Sequence, residues 1–380
     1  MEERKIRVGV VQGDINGVGT ELILKTFAAP EILDLCTPII YGSPKAVAFH
    51  RNGLQIDLNL NAIQQAKEAR DMRVNMLDAV KREVNVDLGV ATQEATEAAR
   101  VMIDQAVEDC KAGLIDVIVL APVGCIGSRS NENTTVTPAT YLQQQCGGEE
   151  KVLKVVIDNG LRAVSVVEGM PTEEVPAAMT KEDIVVKAKQ LLRSLKRDLR
   201  VENPRVAVLA FNPMNAEGEY GAEEQEYIVP AVKAMVAEGL NVFGPYQADT
   251  FFSEGEYDSF DGIVGMYDEQ VLSPVEAQSI SGTLKLFTGL PLVAVMADED
   301  ANYEKAGEVV MDEMAFRHAV FMAIDVYRNQ INYDRPFANP LKKLYHDKKE
   351  DGERSRHQSG GRKPTDNQRK DSEEVVEGGE

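Results

Sequence analysis

Carboxylate side chains stand at the ends of the buried strands that the sequence predicts. Asp14 follows the strand-like run KIRVGVVQ, Asp268 and Glu269 follow FDGIVGMY, and Asp298 ends LPLVAVMAD. Open α/β sheets bind ligands in the crevice outside the carboxyl ends of their strands, so we expect these side chains to face a binding site. Asp14, Asp268 and Glu269 are therefore the candidate catalytic residues.

The same carboxylates limit the kind of metal that a site could hold. They suit a hard ion such as Mg²⁺, whereas zinc-like metals prefer imidazole or thiolate ligands. Asp268 is the candidate metal ligand. The alternative interpretation is that the cleft has lost its function and that its carboxylates are solvated charges without a ligand-binding role. The acidic set behind both interpretations also includes Glu168, Asp249, Glu299 and Asp300.

A glycine-bearing turn, GDINGVGTE, joins the first predicted strand to a predicted helix. Its Gly13, Gly17 and Gly19 precede the helix N-terminus, where exposed amide groups attract anions. We therefore predict that these glycines, together with Asp298, border a cofactor. The spacing differs from the GxGxxG fingerprint of dinucleotide sites. A tight turn that needs small residues is the alternative interpretation.

Histidine is scarce in this chain. Of the four histidines, His346 and His357 lie in a polar C-terminal segment, and His50 and His318 are far apart. This distribution argues against a multi-histidine metal centre within one chain, and we expect no zinc site. The four cysteines show no CxxC spacing, which is typical of buried thiols. Cys125 is interpreted as a packing residue at a strand end.

Composition and charge exclude several classes of partner. The 380 residues are 43% hydrophobic and 27% charged, with a formal net charge of −21. A field of that sign repels nucleic acid and anionic membranes, so we expect neither as a partner. A small anionic metabolite would need a local positive pocket. No apolar run reaches the roughly 18 residues of a membrane span, and no signal peptide pattern is visible, so we expect a cytoplasmic protein.

Strand-like and helix-like segments alternate along most of the sequence. This rhythm predicts an α/β fold with a mainly parallel sheet covered on both faces. From about residue 345 to 380 the composition changes to charged and small residues. Such a segment cannot form a core, and we predict a disordered charged tail there.

Several stretches resemble one enzyme family, and they occur in that family's order. GDINGVGTELILK, ENPRVAVLAFNP, GLNVFGPYQADTFF, GMYDEQ and TGLPLV carry the resemblance, which covers about residues 5–335. The family is that of 4-hydroxythreonine-4-phosphate dehydrogenase, an NAD-dependent oxidoreductase of pyridoxal phosphate (vitamin B6) biosynthesis. The resemblance implies NAD as the cofactor and a homodimer as the assembly.

The resemblance also implies an architecture. We expect a two-domain α/β/α fold like that of isopropylmalate and isocitrate dehydrogenases, with mainly parallel sheets and a cleft between the domains. Residues 1–130 plus 270–335 would form the first domain. Residues 131–269 would form the second, which would carry the dimer contact.

The family's metal and substrate residues are largely replaced in this sequence. The resemblance implies three metal-binding histidines, and their positions here hold Gly169, Met214 and Asp268. Cations implied for substrate binding are replaced by Glu276 and Ala294. We therefore predict a diverged member with lost or altered activity. A Mg²⁺-dependent enzyme acting on another small anionic metabolite and a non-catalytic ligand-binding or regulatory subunit remain the alternatives.

Overall fold

The structure is a computed structural model. It describes residues 4–124, 126, 136–148, 150–158, 160–214, 219–297 and 300–338. Asp298, which we predicted beside a cofactor, lies outside these ranges, as do Glu299, Cys125 and the charged tail predicted for 345–380. The described residues belong to one compact unit, Met1–Ala338.

Twelve strands of the described chain form one sheet. They are β1 (Ile6–Val11), β2 (Cys36–Gly42), β3 (Leu60–Ile63), β4 (Val74–Asp78), β5 (Val117–Leu120), β6 (Leu153–Asp158), β7 (Leu161–Val167), β8 (Val206–Leu209), β9 (Val242–Tyr246), β10 (Gly262–Tyr267), β11 (Leu284–Thr288) and β12 (Val293–Ala297). Their order across the sheet is β3-β4-β2-β1-β5-β12-β11-β6-β7-β10-β8-β9.

Eleven α-helices of the described chain accompany the sheet. They are α1 (Gly19–Ala28), α2 (Ile32–Leu35), α3 (Pro44–Leu54), α4 (Gln93–Lys111), α5 (Pro138–Cys146), α6 (Val175–Ala178), α7 (Lys181–Arg197), α8 (Val229–Ala237), α9 (Ala248–Ser253), α10 (Asp268–Gln278) and α11 (Met314–Ala338). Short 3₁₀ segments lie at Ala66–Glu68, Glu256–Ser259 and Tyr303–Lys305. None of the helices in the described part of the chain is long and apolar enough to cross a membrane.

The sheet contains two parallel groups that run in opposite directions. Strands β1 to β5 and β12 are parallel to one another, and β7 to β10 form a second parallel group. Antiparallel pairing of β12 with β11, β11 with β6, and β6 with β7 joins the groups. The predicted α/β class with a mainly parallel sheet is thus confirmed. The division into two domains stays a prediction.

The core lies on both faces of this sheet because successive strand residues point to opposite sides. In β5, Val117 and Val119 join one large apolar cluster, whereas Ile118 and Leu120 join the other. Helix α11 packs on β12 and β5, α4 packs on β1 and β2, and α7 and α10 pack on β7 and β10. The sheet residues are therefore held rigidly, and the loops at the strand ends carry the polar groups.

Candidate functional site

Asp268 begins α10 directly after β10 ends, and three donors hold its carboxylate. Its Oδ1 accepts hydrogen bonds from Nζ of Lys154 at 3.1 Å and from Oγ of Ser165 at 2.9 Å. Its Oδ2 accepts a bond from the backbone amide of Gly169 at 2.9 Å. Strand register explains the meeting: Ser165 lies opposite Gly265 of β10, and β6 runs antiparallel on the other side of β7.

Glu168, the residue after β7, adds a second carboxylate to this group. Its Oε2 lies 3.4 Å from Nζ of Lys154, and its Oε1 lies 2.7 Å from Nζ of Lys187 on α7. Lys187 also donates to the backbone oxygen of Ser165 at 2.9 Å. We call Lys154, Glu168, Lys187 and Asp268 the ion cluster. All four of its carboxylate oxygens are engaged, and its two lysines balance its two acids.

Burial and ion pairing shift the pKa values of Lys154 and Asp268 in opposite directions. Burial by itself lowers the pKa of Lys154, whose side chain is 16% exposed, but the carboxylates of Glu168 and Asp268 outweigh it and raise that pKa. Burial by itself raises the pKa of Asp268. Attraction to Lys154, with the bonds from the Gly169 amide and Ser165, outweighs burial and lowers it. Both groups are therefore charged at neutral pH.

The residues at the implied metal positions do not fit a histidine-type centre. Gly169 offers no side chain, and Met214 offers a 37% exposed thioether, which is a ligand for soft metals. The Asp268 carboxylate already accepts bonds from an ammonium, a hydroxyl and an amide. Within the described ranges, no three or more His, Cys, Asp or Glu side chains converge as a metal site.

A second polar group surrounds Asp14 at the end of β1. The side chain is 1% exposed, and its Oδ1 accepts a hydrogen bond from the amide of Asn16 at 2.8 Å. Its Oδ2 accepts a bond from the hydroxyl of Tyr303 at 2.8 Å. Burial raises the pKa of Asp14, and the bonds from Asn16 and Tyr303 oppose that rise. Asp14 is thus a shielded carboxylate with two fixed donors.

The glycine turn packs against the chain's own backbone. A Cβ on Gly13, whose φ is +75°, would lie 2.4 Å from the oxygen of Pro122, and one on Gly17 would lie 2.4 Å from that of Ala301. A Cβ on Gly19 would lie 2.9 Å from a third backbone oxygen. These approaches leave no room for a side chain, which supports the tight-turn interpretation. Cofactor binding by the three glycines stays a prediction.

The candidate residues fall into two groups. Glu168, Gly169 and Asp268 meet in the ion cluster region, whereas Asp14 bonds to Asn16 and Tyr303. Their parent strands β10 and β1 belong to the two oppositely directed groups of the sheet. Glu269 is exposed in the first turn of α10, beside Asp268. Ala294, at the position of an implied cation, is buried in β12.

Sequence reasoning missed Lys154, Lys187, Ser165 and Tyr303. One signal was present, because Lys154 interrupts the apolar run LKVVID of a buried strand. A charged residue in such a position is rarely buried without a partner. Its partner Asp268 lies 114 positions away in the sequence, so the pair can be recognised only in the folded structure.

Comparisons with known proteins agree on one family. A family model described as pyridoxal phosphate biosynthetic protein PdxA matches residues 34–323. The chain is 40% identical, over 355 residues, to a 4-hydroxythreonine-4-phosphate dehydrogenase of Bacteroides thetaiotaomicron, covering 93% of this chain and 98% of that protein.

Solved structures show the same fold. A 4-hydroxythreonine-4-phosphate dehydrogenase from Burkholderia phymatum superposes with a TM-score of 0.68 at 25% identity, covering 85% of this chain and 99% of that one. Another from Klebsiella pneumoniae gives a TM-score of 0.71 at 21% identity, covering 86% and 99%. The sequence match, the long alignment and the shared architecture all lead to one conclusion: this chain belongs to the PdxA family.

Proposed function

We propose that this chain is a PdxA-family protein with altered chemistry, which binds a small anionic metabolite and does not oxidise 4-hydroxythreonine 4-phosphate by a metal-assisted route. The observation that carries the proposal is the occupied carboxylate of Asp268. Its two oxygens accept three hydrogen bonds from within the chain, one of them from Lys154. A carboxylate whose two oxygens already accept these bonds is a poor ligand for a metal ion.

Oxidation of a secondary alcohol by NAD requires a polarised carbon–oxygen bond, a base for the hydroxyl proton and a bound nicotinamide. A metal ion supplies the polarisation as a Lewis acid. Gly169 and Met214 supply neither the charge nor the imidazole for such an ion. Glu276 stands where the resemblance implies a cation, and a carboxylate there repels a phosphate group. These changes act in the same direction, against the family reaction.

The binding-protein alternative is favoured over a Mg²⁺-dependent enzyme by the same contacts. Mg²⁺ prefers carboxylate oxygens and retains several waters. In the ion cluster, both oxygens of Asp268 and both oxygens of Glu168 contact donors of the chain. Ligand binding that is independent of Mg²⁺ is therefore expected.

Three further properties follow from family membership as proposals. NAD is the proposed cofactor if a nucleotide binds, a homodimer is the proposed assembly, and the cytoplasm is the proposed compartment. Light scattering of the full chain at micromolar concentration tests the assembly, since a monomer would contradict it.

The activity test uses the full chain with NAD, 4-hydroxythreonine 4-phosphate and a panel of Mg²⁺, Mn²⁺ and Zn²⁺, followed by NADH absorbance. The Bacteroides thetaiotaomicron relative serves as the positive control under the same conditions. We expect no NADH above background from this chain. Metal-dependent turnover near the usual enzyme range of about 1 per second or faster would overturn the proposal.

Binding is tested separately from activity. Small phosphorylated and carboxylated metabolites, with and without Mg²⁺, are screened for thermal stabilisation of the full chain. A ligand that binds the folded state raises Tm, and the rise grows with the logarithm of the ligand concentration once this exceeds Kd. We expect stabilisation by at least one anionic metabolite without Mg²⁺. If stabilisation occurs solely when Mg²⁺ is present, the Mg²⁺-dependent enzyme becomes the better interpretation.

A further inference from the structure

We infer that the ammonium group of Lys154 is a built-in cation that takes the place of a divalent metal ion between Asp268 and Glu168 and excludes such ions from the ion cluster. This inference deepens the proposed function and rests on it, because it names the group that replaces the metal. It concerns binding of ions and can be tested without any turnover measurement.

The position of Lys154 supports this role. Its Nζ lies 3.1 Å from Oδ1 of Asp268 and 3.4 Å from Oε2 of Glu168, so one ammonium group contacts both carboxylates. The neighbouring Val155 and Val156 are fully or almost fully buried, which fixes the strand that carries it. A cation in this position is a permanent part of the fold and needs no recruitment from solution.

Charge counting shows what removal of Lys154 would leave. Asp268 and Glu168 would remain with the single positive charge of Lys187, so the ion cluster would carry one uncompensated negative charge. The carboxylates of Asp268 and Glu168 would then both border the space that the Lys154 ammonium group had filled. Oxygen ligands from carboxylates, with water completing the shell, are what hard divalent cations bind.

Lys187 provides a matched comparison within the same cluster. It is similarly covered, with 19% of its side chain exposed against 16% for Lys154. Its hydrogen bonds go to Glu168 and to the backbone oxygen of Ser165, whereas Lys154 alone of the two bonds to Asp268. Loss of Lys187 therefore removes the same charge but leaves the ammonium between the two carboxylates in place.

The experiment measures Mn²⁺ binding to the full chain by electron paramagnetic resonance of the unbound ion. The variants are Lys154→Met, Lys154→Arg, Lys187→Met and the double variant Lys154→Met with Asp268→Asn. We expect wild-type protein to bind Mn²⁺ more weakly than about 1 mM, and Lys154→Met to bind at least about tenfold more tightly. The other three should resemble wild type.

Each contrary result overturns the inference. Micromolar Mn²⁺ binding by the wild-type chain would show that Lys154 excludes nothing. A folded Lys154→Met protein without tighter binding would show that no ion site lies under the ammonium. Equal gains in Lys154→Met and Lys187→Met would reduce the effect to a general change in net charge. A gain that survives Asp268→Asn would place the ion elsewhere.

Mn²⁺ also provides a control for a variant that fails to fold. If Lys154→Met unfolds, Mn²⁺ should restore its circular dichroism spectrum and give a Tm that rises with Mn²⁺ concentration. Failure of Mn²⁺ to restore it counts against the inference. The proposed function fails by a different result, metal-dependent NADH formation, so the two failures can be distinguished.

Discussion

The backbone amide of Gly169 donates a hydrogen bond to Oδ2 of Asp268 at 2.9 Å. Two of the positions at which the resemblance implies metal-binding histidines are thus in direct contact here. The amide takes part because Gly169 has a φ of +64°, a left-handed conformation that favours glycine. Glycine at this position therefore supplies a backbone amide to Asp268 and no side-chain ligand.

Replacement of Gly169 by alanine should destabilise the protein through backbone strain alone. A Cβ there would meet no atom within 4 Å, so the cost is that of a side chain at positive φ, about 1 kcal/mol. Urea unfolding measures it. Gly53→Ala in α3 is the control, since its Cβ also meets no atom, its φ is not positive, and helix propensity predicts a gain of about 0.5–1 kcal/mol. Equal effects at both positions would contradict the strain argument.

Replacement of Gly17 by alanine should cost more than replacement of Gly169. The added Cβ would lie 2.4 Å from the backbone oxygen of Ala301 and 3.0 Å from its Cβ, so the turn must shift. Overpacking of this kind costs about 1–3 kcal/mol, and the bond from Val18 N to Ala301 O would be strained as well. Urea unfolding of the variant, compared with Gly53→Ala, checks the size. A neutral effect would mean that the turn is loosely packed.

Removal of the Tyr303 hydroxyl should destabilise the chain through Asp14. Tyr303→Phe removes the 2.8 Å hydrogen bond that the hydroxyl donates to Oδ2 of the buried Asp14 carboxylate. We expect this loss to lower the free energy of unfolding by about 1–2 kcal/mol. A double-mutant cycle with Asp14→Asn isolates the pair, because the phenylalanine should cost less once the carboxylate is neutral. The measurement is urea unfolding at neutral pH. Additive effects of the two substitutions would show that the residues are not coupled.

Stability should fall as the pH is lowered below about 6.5, partly because of His50. Burial lowers the pKa of this imidazole from its ordinary value of 6.5, while its bond to the oxygen of Ile15 and the charge of Glu21 oppose the shift. The unfolded chain then binds a proton at a higher pH than the folded chain does. The contribution of His50 is thus complete above 6.5 and is lost between 6.5 and the lower folded-state pKa.

The variant His50→Gln isolates that contribution. Its free energy of unfolding should change less between pH 7.5 and 5.5 than that of the wild type, because glutamine has no proton to bind in this range. Urea unfolding at both pH values gives the comparison. An unchanged pH dependence in the variant would assign the effect to other groups.

Much of the fold was accessible from the sequence because local patterns specify it. The run KIRVGVVQ predicts a strand over 5–12, and β1 spans Ile6–Val11. The segment 92–112, which is rich in alanine and acidic residues, predicts a long helix, and α4 spans Gln93–Lys111. The antiparallel pairing that joins the two parallel groups was not predicted. Alternation of strands and helices indicates parallel pairing, and β11 pairs with β6, which precedes it by more than 100 residues.

The candidate site was less accessible for the same physical reason. Asp14, Asp268 and the glycine turn could be singled out because each follows a recognisable strand. The groups that determine their behaviour, Lys154 and Tyr303, reach them from distant parts of the chain. No local pattern states that an ammonium group will meet a particular carboxylate, since that contact depends on strand order and register.

The span of the ion cluster along the chain affects the order in which it can form during synthesis. Lys154, Glu168 and Lys187 emerge from the ribosome together, and Asp268 follows roughly one domain's length later. Until then the nascent group carries two positive charges against one negative charge. The neutral cluster is completed only when β10 joins the sheet. While the middle segment is being translated, the Lys154 ammonium group therefore lacks the second of its two carboxylate partners.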